Sequence, residues 1–252
     1  MYMKKYWLGV VFFVFFFAGG LLHGEEKGNI DSSIIFYAPL DGEVTAKIAK
    51  GNFNGKPILG SDFTFTEGKK GKGLVVGDNH TSAVYEIKNN FNPQSGTLTF
   101  WVKPVNWSGY AKPHVFIRSY YDREGGFSII IYDGGATHGG VAFYEKSQKE
   151  KKLNAIYSKG DAWFEDEWHY VAVTWSGVNV KFYVDGNLRG ETQLELPMDL
   201  DAMSQFFSIG HIHSWGQEGS TTIDELYIYN RPLSPEEIKQ DYQGIRLQSK
   251  KE

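Results

Sequence analysis

Short runs in which apolar and polar residues alternate recur along this chain, and this alternation constrains its fold more than any other feature. In the run Thr97–Val102, the side chains of Leu98, Phe100 and Val102 fall on one face of an extended strand. Turn-forming residues separate such runs at short intervals. This pattern predicts antiparallel strands arranged as a sandwich or barrel.

One hairpin and one doubly covered strand are the clearest local predictions. Val180–Val184 is followed by Asp185, Gly186 and Asn187, and Asp-Gly favours the positive φ angles of a tight turn. In Tyr170–Trp175 both faces are largely apolar, so we expect this strand to be covered on both sides.

The sequence predicts one short helix, near the C-terminus. Ser234 can cap it, Pro235 suits its first position, and Glu237 stands three residues after the cap. Ile238 and Tyr242 are four residues apart, so they would pack one helix face against the sheets.

The N-terminus is typical of an export signal. Lys4 and Lys5 precede the apolar run Leu8–Ala18, and secretory signal peptides have such a basic stretch before an apolar core of about 7–15 residues. Residues 1–24 are therefore predicted to be a cleaved signal peptide. The alternative is a retained anchor, but Trp7–Leu22 is shorter than the roughly 18–20 residues that span a membrane.

Composition limits the remaining choices. The chain has no cysteine, which excludes a disulfide scaffold, a zinc–thiolate site and thiol catalysis. A net charge of −4 does not favour nucleic acid binding. Without an internal repeat or a proline-rich linker, we expect a linker over 25–33, one domain over 34–245 and a polar tail over 246–252. We expect no membrane contact after signal cleavage.

Four stretches, in order between residues 34 and 242, resemble the laminin G-like jelly-roll domain of the concanavalin A-like lectin/glucanase superfamily. The resemblance implies an all-β fold: a two-sheet antiparallel jelly-roll sandwich with one short C-terminal helix, one sheet having a concave side. It leaves function open, because this architecture carries lectins, adhesion modules and glycoside hydrolases. The stretches are Phe36–Gly42, Gly96–Pro104, Trp168–Trp175 continuing to Tyr183–Gly186, and Ile223–Ile238.

A glycoside hydrolase would need two carboxyl groups about 5–5.5 Å or 6.5–9.5 Å apart. The Glu-x-Asp-x-x-Glu strand of this superfamily's hydrolases is missing, and there is no Gly-x-Ser-x-Gly elbow. The acids Glu165, Asp166 and Glu167 are predicted to lie in a solvated turn. Asp224 and Glu225 are expected on opposite faces of a strand. We therefore predict that the chain is not an enzyme.

Aromatic residues in turn-like segments are the candidate ligand-binding residues, because sugar rings stack on aromatic side chains and loops often carry binding residues. Each of them could instead merely cover a sheet edge. Trp101, Trp168 and Trp175 stand in strand segments and are assigned to core packing. The candidates are Trp107, Tyr110, Trp163, His213 and Trp215.

The resemblance also implies one structural calcium ion between the first and last strands, at Asp41 and Asp224. Calcium would need about six to eight oxygen ligands. The alternative is that Asp41 caps the turn at Gly42 and Asp224 binds neighbouring amides.

Together these features predict a secreted, periplasmic or cell-surface binding module without catalytic residues. Its predicted partner is a glycan or a cell-surface polymer, held by aromatic loops around the concave sheet. A protein–protein adhesion module is the first alternative, and a glycoside hydrolase of the same superfamily is the second.

Overall fold

The computed structural model describes residues 31–78, 80, 82–109, 113–119, 126–132, 140–146, 153–158, 163–199, 204–210 and 219–245. Within these ranges the chain forms short strands and a C-terminal helix. In chain order they are β1 (Ile34–Ala38), β2 (Ile48–Ala49), β3 (Thr64–Glu67), β4 (Lys72–Gly77), β5 (Ala83–Glu86), β6 (Ser95–Pro104), β7 (His114–Arg118), β8 (Gly126–Tyr132), β9 (Gly140–Lys146), β10 (Leu153–Tyr157), β11 (His169–Ser176), β12 (Asn179–Val184), β13 (Asn187–Gln193), β14 (Phe206–Ile209), β15 (Ser220–Tyr229) and α1 (Pro235–Tyr242).

The strands form two antiparallel sheets. The nine-stranded sheet has the order β13-β12-β11-β6-β15-β1-β2, and the β3–β4 hairpin joins it through pairing of β4 with β15. The six-stranded sheet has the order β10-β9-β8-β7-β14-β5. The predicted all-β, two-sheet jelly-roll sandwich with one short C-terminal helix is therefore confirmed.

The main core lies between the sheets and follows the alternation along strands such as β6. Leu98, Phe100 and Val102 of β6 are buried in it, because alternate strand residues point to the same face. Aromatic rings join the layers: Phe36 of β1 meets Phe207 of β14 edge-to-face at 5.2 Å.

The predicted hairpin turn is confirmed at Asp185 and Gly186. Their φ angles are 51° and 74°, and they connect β12 to β13. Glycine adopts this left-handed conformation without a steric penalty, which explains why an Asp-Gly pair stands there.

The C-terminal helix has the predicted cap. Ser234 Oγ accepts a hydrogen bond from the Glu237 amide at 3.2 Å, and Glu237 Oε2 accepts one from the Ser234 amide at 2.8 Å. Ile238 is buried against Tyr170 and Tyr229 in a second apolar cluster. This cluster places α1 on the outer face of the nine-stranded sheet.

Removal of the Ser234 cap should destabilise α1 and its packing on the nine-stranded sheet. Ser234→Ala is expected to lower the free energy of unfolding by about 1 kcal/mol, because the Glu237 amide in the first turn loses its acceptor. Ser234→Gly, the matched control, should cost only a few tenths of a kcal/mol. Urea unfolding measures both, and equal stability of wild type and Ser234→Ala would contradict the prediction.

None of the helices in the described ranges is long and apolar enough to cross a bilayer. The predicted signal peptide, residues 1–24, lies outside the described residues.

Candidate functional site

A cleft of about 470 Å³ opens on the outer face of the nine-stranded sheet. We call it the helix-side cleft, because its walls are the C-terminal end of α1 and the turn 68–71 between β3 and β4. It is lined by Lys69, Lys70, Thr99, Trp101, Tyr170, Glu225, Tyr227, Tyr229, Asp241, Tyr242, Gln243 and Gly244.

The register of three neighbouring strands builds the floor of the cleft. Tyr170 of β11 lies opposite Trp101 of β6, which lies opposite Asp224 of β15. In the next outward-facing row, Thr99 lies opposite Tyr227. Residues that oppose one another across antiparallel strands share a face, so these side chains leave the sheet on the side of α1.

A β-bulge in β15 brings a second carboxyl group to this face. The register with β6 shifts between Asp224 and Tyr227, and Glu225 has a φ angle of 51°. Lys70 contacts both acids: its amide donates to Asp224 Oδ2 at 2.9 Å, and its Nζ lies 3.0 Å from Glu225 Oε2. The prediction that the two acids lie on opposite faces is wrong, because a bulge interrupts strict alternation.

Two tyrosine hydroxyl groups hold the Glu225 carboxylate, which is only 6% exposed. Tyr37 donates to its Oε1 at 2.9 Å and Tyr227 donates to its Oε2 at 3.1 Å, with the two rings stacked at 4.1 Å. Burial, followed by the nearby Glu225 charge, raises the pKa of both tyrosines. Both therefore remain protonated donors at neutral pH.

The Asp224 carboxyl lies beneath the turn 68–71 and is fully buried. It accepts hydrogen bonds from the amides of Lys70 and Glu225, both at 2.9 Å. Burial raises its pKa from 3.8 to about 7, although the amide donors act in the opposite direction. Asp224 thus anchors the turn and does not line the cleft.

Aromatic side chains form one wall of the cleft around Trp101. The Trp101 ring centroid lies 5.2 Å from that of Tyr170 and 5.8 Å from that of Tyr242. Lys69 Nζ lies over Trp101 at 4.0 Å from the ring centroid, a cation–π contact. Trp101, which was assigned to core packing, is half-buried and packs against the second apolar cluster on the outer face, whereas Trp175 lies in the main core.

Two of the loop aromatics expected to bind ligand pack against other residues of the protein. Trp107 is half-buried, stacks on His114 at 3.8 Å and donates through Nε1 to the Ser220 carbonyl at 2.9 Å. Trp163 is 0% exposed and stacks on His169 at 4.3 Å. The expectation that Trp163 lines a binding surface does not fit this burial, because no ring face is open to a ligand.

The other candidate residues divide into two groups. Glu165, Asp166 and Glu167 are exposed in a turn, as predicted, and Trp168 is half-buried beside them. The remaining candidates, which lie outside the described residues, are Tyr110, His213 and Trp215.

Asp41 and Asp224, the acids assigned to calcium, bind the same turn of the chain. Asp41 Oδ1 accepts a hydrogen bond from the Lys72 amide at 2.9 Å, and Asp224 Oδ2 accepts one from the Lys70 amide. Among the described residues no group of three or more acidic or histidine side chains could hold a metal ion. The two carboxylates accept backbone amides, as the alternative to a calcium site states, and calcium, which would also need backbone carbonyl oxygens here, stays a prediction.

The fold and the sequence agree on a family. Residues 77–239 match a laminin G-type family model described as the concanavalin A-like lectin/glucanases superfamily. The chain belongs to this superfamily. The match extends from β4 into α1 and so includes the strands that form the floor of the helix-side cleft.

Several solved structures share this superfamily fold. Domain 4 of AbnA, a GH43 extracellular arabinanase from Geobacillus stearothermophilus solved with arabinotriose, is 17% identical with a TM-score of 0.64; the match covers 83% of this chain and 98% of that domain. The binding domain of botulinum neurotoxin serotype D is 16% identical with a TM-score of 0.64, over 84% of this chain. This chain spans about half of the neurotoxin domain, with 52% covered.

One curated relative is similar in sequence. "Sialidase 85-1.3" from Trypanosoma cruzi is 27% identical over 170 residues, which are 58% of this chain and 94% of the relative. A relative that is 27% identical over 58% of this chain does not identify a ligand for it.

Proposed function

We propose that this chain is an exported, non-catalytic module that binds a saccharide in the helix-side cleft. One observation carries the proposal: the cleft joins an aromatic wall to polar groups that are held in place. A saccharide offers C–H faces that pack on aromatic rings and hydroxyl groups that need fixed hydrogen-bond partners. The N-terminal signal-like segment supports export.

The dimensions and chemistry of the cleft suit such a ligand. A volume of about 470 Å³ falls within the range of roughly 300–1,000 Å³ that is usual for small-molecule sites. Trp101 and Tyr242 supply apolar surface, and Glu225, Asp241 and the Lys70 amine supply acceptors and donors. A relative of the same fold solved with arabinotriose supports the search for a saccharide.

The placement of the acids supports a binding role over hydrolysis. Glu225 is engaged by two tyrosines and Lys70, and Asp224 is buried below the cleft. In the described strands of the six-stranded sheet, the acids are Glu86 of β5 and Glu145 of β9. Four strand spacings separate these strands, about 19 Å, which exceeds the separation that a glycosidase uses.

The test is binding to a saccharide array, followed by titration of the strongest ligand. Trp101→Leu should weaken binding about tenfold, because the ring that packs on the sugar is lost. Trp168→Leu is the matched control, since Trp168 is also half-buried with a lysine amine over its ring, that of Lys103 at 5.5 Å. Its affinity should stay within about twofold of wild type.

Three results would overturn the proposal. Unchanged affinity of a folded Trp101→Leu protein would exclude the cleft as the site. Capture of a protein with no saccharide bound would favour adhesion, and release of shortened products from the bound saccharide would favour a hydrolase.

A further inference from the structure

The helix-side cleft already contains two primary ammonium groups, both supplied by the turn 68–71. Lys69 Nζ lies over the Trp101 ring at 4.0 Å, and Lys70 Nζ lies 3.0 Å from Glu225 Oε2. These contacts mark two positions in the cleft where the protein itself accepts a cation. One is the face of an indole ring and the other is a buried carboxylate.

The Lys69 amine is held less strongly than the Lys70 amine. Lys70 pairs with the Glu225 carboxylate, whose side chain is only 8% exposed, and removing one partner of such a buried pair is costly. The Lys69 amine has no acidic partner among the described residues and lies over the Trp101 ring. A ligand ammonium can therefore displace the Lys69 amine at small cost.

The groups around these positions match a primary amine. The Glu225 carboxylate has a lone pair for an N–H donor besides those that accept from Tyr37, Tyr227 and Lys70. The Asp241 carboxylate lies in the opposite wall. Five aromatic residues, Trp101, Tyr170, Tyr227, Tyr229 and Tyr242, line the space between them, and aromatic faces attract cations.

We infer that the saccharide bound in the helix-side cleft carries a free primary ammonium group, as in a sugar whose amine is not acetylated. This inference rests on the proposed function. The sugar ammonium takes the position of the Lys69 amine over Trp101 and points an N–H towards Glu225, while the ring packs on the aromatic wall.

The test compares short oligomers of glucosamine, N-acetylglucosamine and glucose by calorimetry at one ionic strength. Glucosamine oligomers should bind most tightly. Lys69→Met keeps the apolar stem and removes the competing charge, so it should tighten glucosamine binding by about twofold to fivefold. Lys56→Met, a change at an exposed lysine that does not line the cleft, should leave affinity unchanged.

A second variant reports on the carboxylate. Glu225→Gln keeps an oxygen for one tyrosine hydroxyl, replaces the other oxygen with an NH2 group and removes the charge, so the preference for glucosamine over N-acetylglucosamine oligomers should fall. Because the readout is a ratio of affinities on one protein, partial loss of folded material does not affect it.

The possible failures are distinguishable. Equal or tighter binding of N-acetylglucosamine or glucose oligomers, or weaker glucosamine binding by Lys69→Met, overturns the amine inference and leaves saccharide binding intact. Absence of binding to every saccharide overturns both.

Discussion

Trp175→Ala should lower the free energy of unfolding by about 3–5 kcal/mol, the usual cost of removing a buried large aromatic side chain. Trp175 is 2% exposed and stacks on Phe91 at 4.7 Å. Its Nε1 donates to the Asn92 carbonyl at 2.8 Å. Substitution by alanine leaves a cavity and removes the donor to that carbonyl.

Urea unfolding measures this loss, with Trp168→Ala as the matched control. Trp168 is only half-buried, so its loss should cost clearly less. Equal costs for the two substitutions would show that Trp175 does not hold the sheets together as its packing indicates.

The second large effect is a pH dependence of the free energy of unfolding that arises from the Asp224 carboxyl. Burial raises the pKa of this carboxyl from 3.8 to about 7, so between these values the folded protein holds a proton that the unfolded chain releases. Its contribution to stability is complete below about pH 4 and is lost as pH rises through 7. The loss should be about 2–4 kcal/mol.

A comparison of wild type with Asp224→Asn isolates this group. Burial lowers the pKa of His114 to about 4, so His114 acts oppositely and adds stability as pH rises from about 4 to 6.5. That contribution is present in both proteins and cancels in their difference. The stability of Asp224→Asn relative to wild type should therefore rise between pH 4 and pH 8. A constant difference would mean that the pKa of Asp224 is the same in the folded and the unfolded protein.

The strands, the hairpin turn and the helix cap were predictable because their causes are local. Alternation along β6 identifies its buried face, Asp185 and Gly186 suit positive φ angles, and Ser234 with Glu237 satisfies the amides of the first helical turn. Each signal lies within a few residues, and the local conformation that it predicts is retained in the tertiary structure.

The helix-side cleft was not predicted, although all its residues were visible in the sequence. Glu225 reaches the outer face through a bulge that the pattern around it does not reveal. Trp101 and Tyr242 become neighbours only after α1 packs across the sheet. The available signal for a second packed face was the pair of tyrosines at alternate positions of β15, Tyr227 and Tyr229. Large aromatic residues on the face away from the main core must pack against a further element to be buried.

The sequence by itself therefore determined that the chain is an all-β sandwich, which face of β6 is buried, where the helix begins and which superfamily the chain resembles. The tertiary structure alone decided that Trp163 is buried and that Lys69, Trp101 and Glu225 share a cleft. The reason is physical: alternation assigns a side chain to a face, whereas strand order, register and the packing of a helix decide which side chains meet on that face.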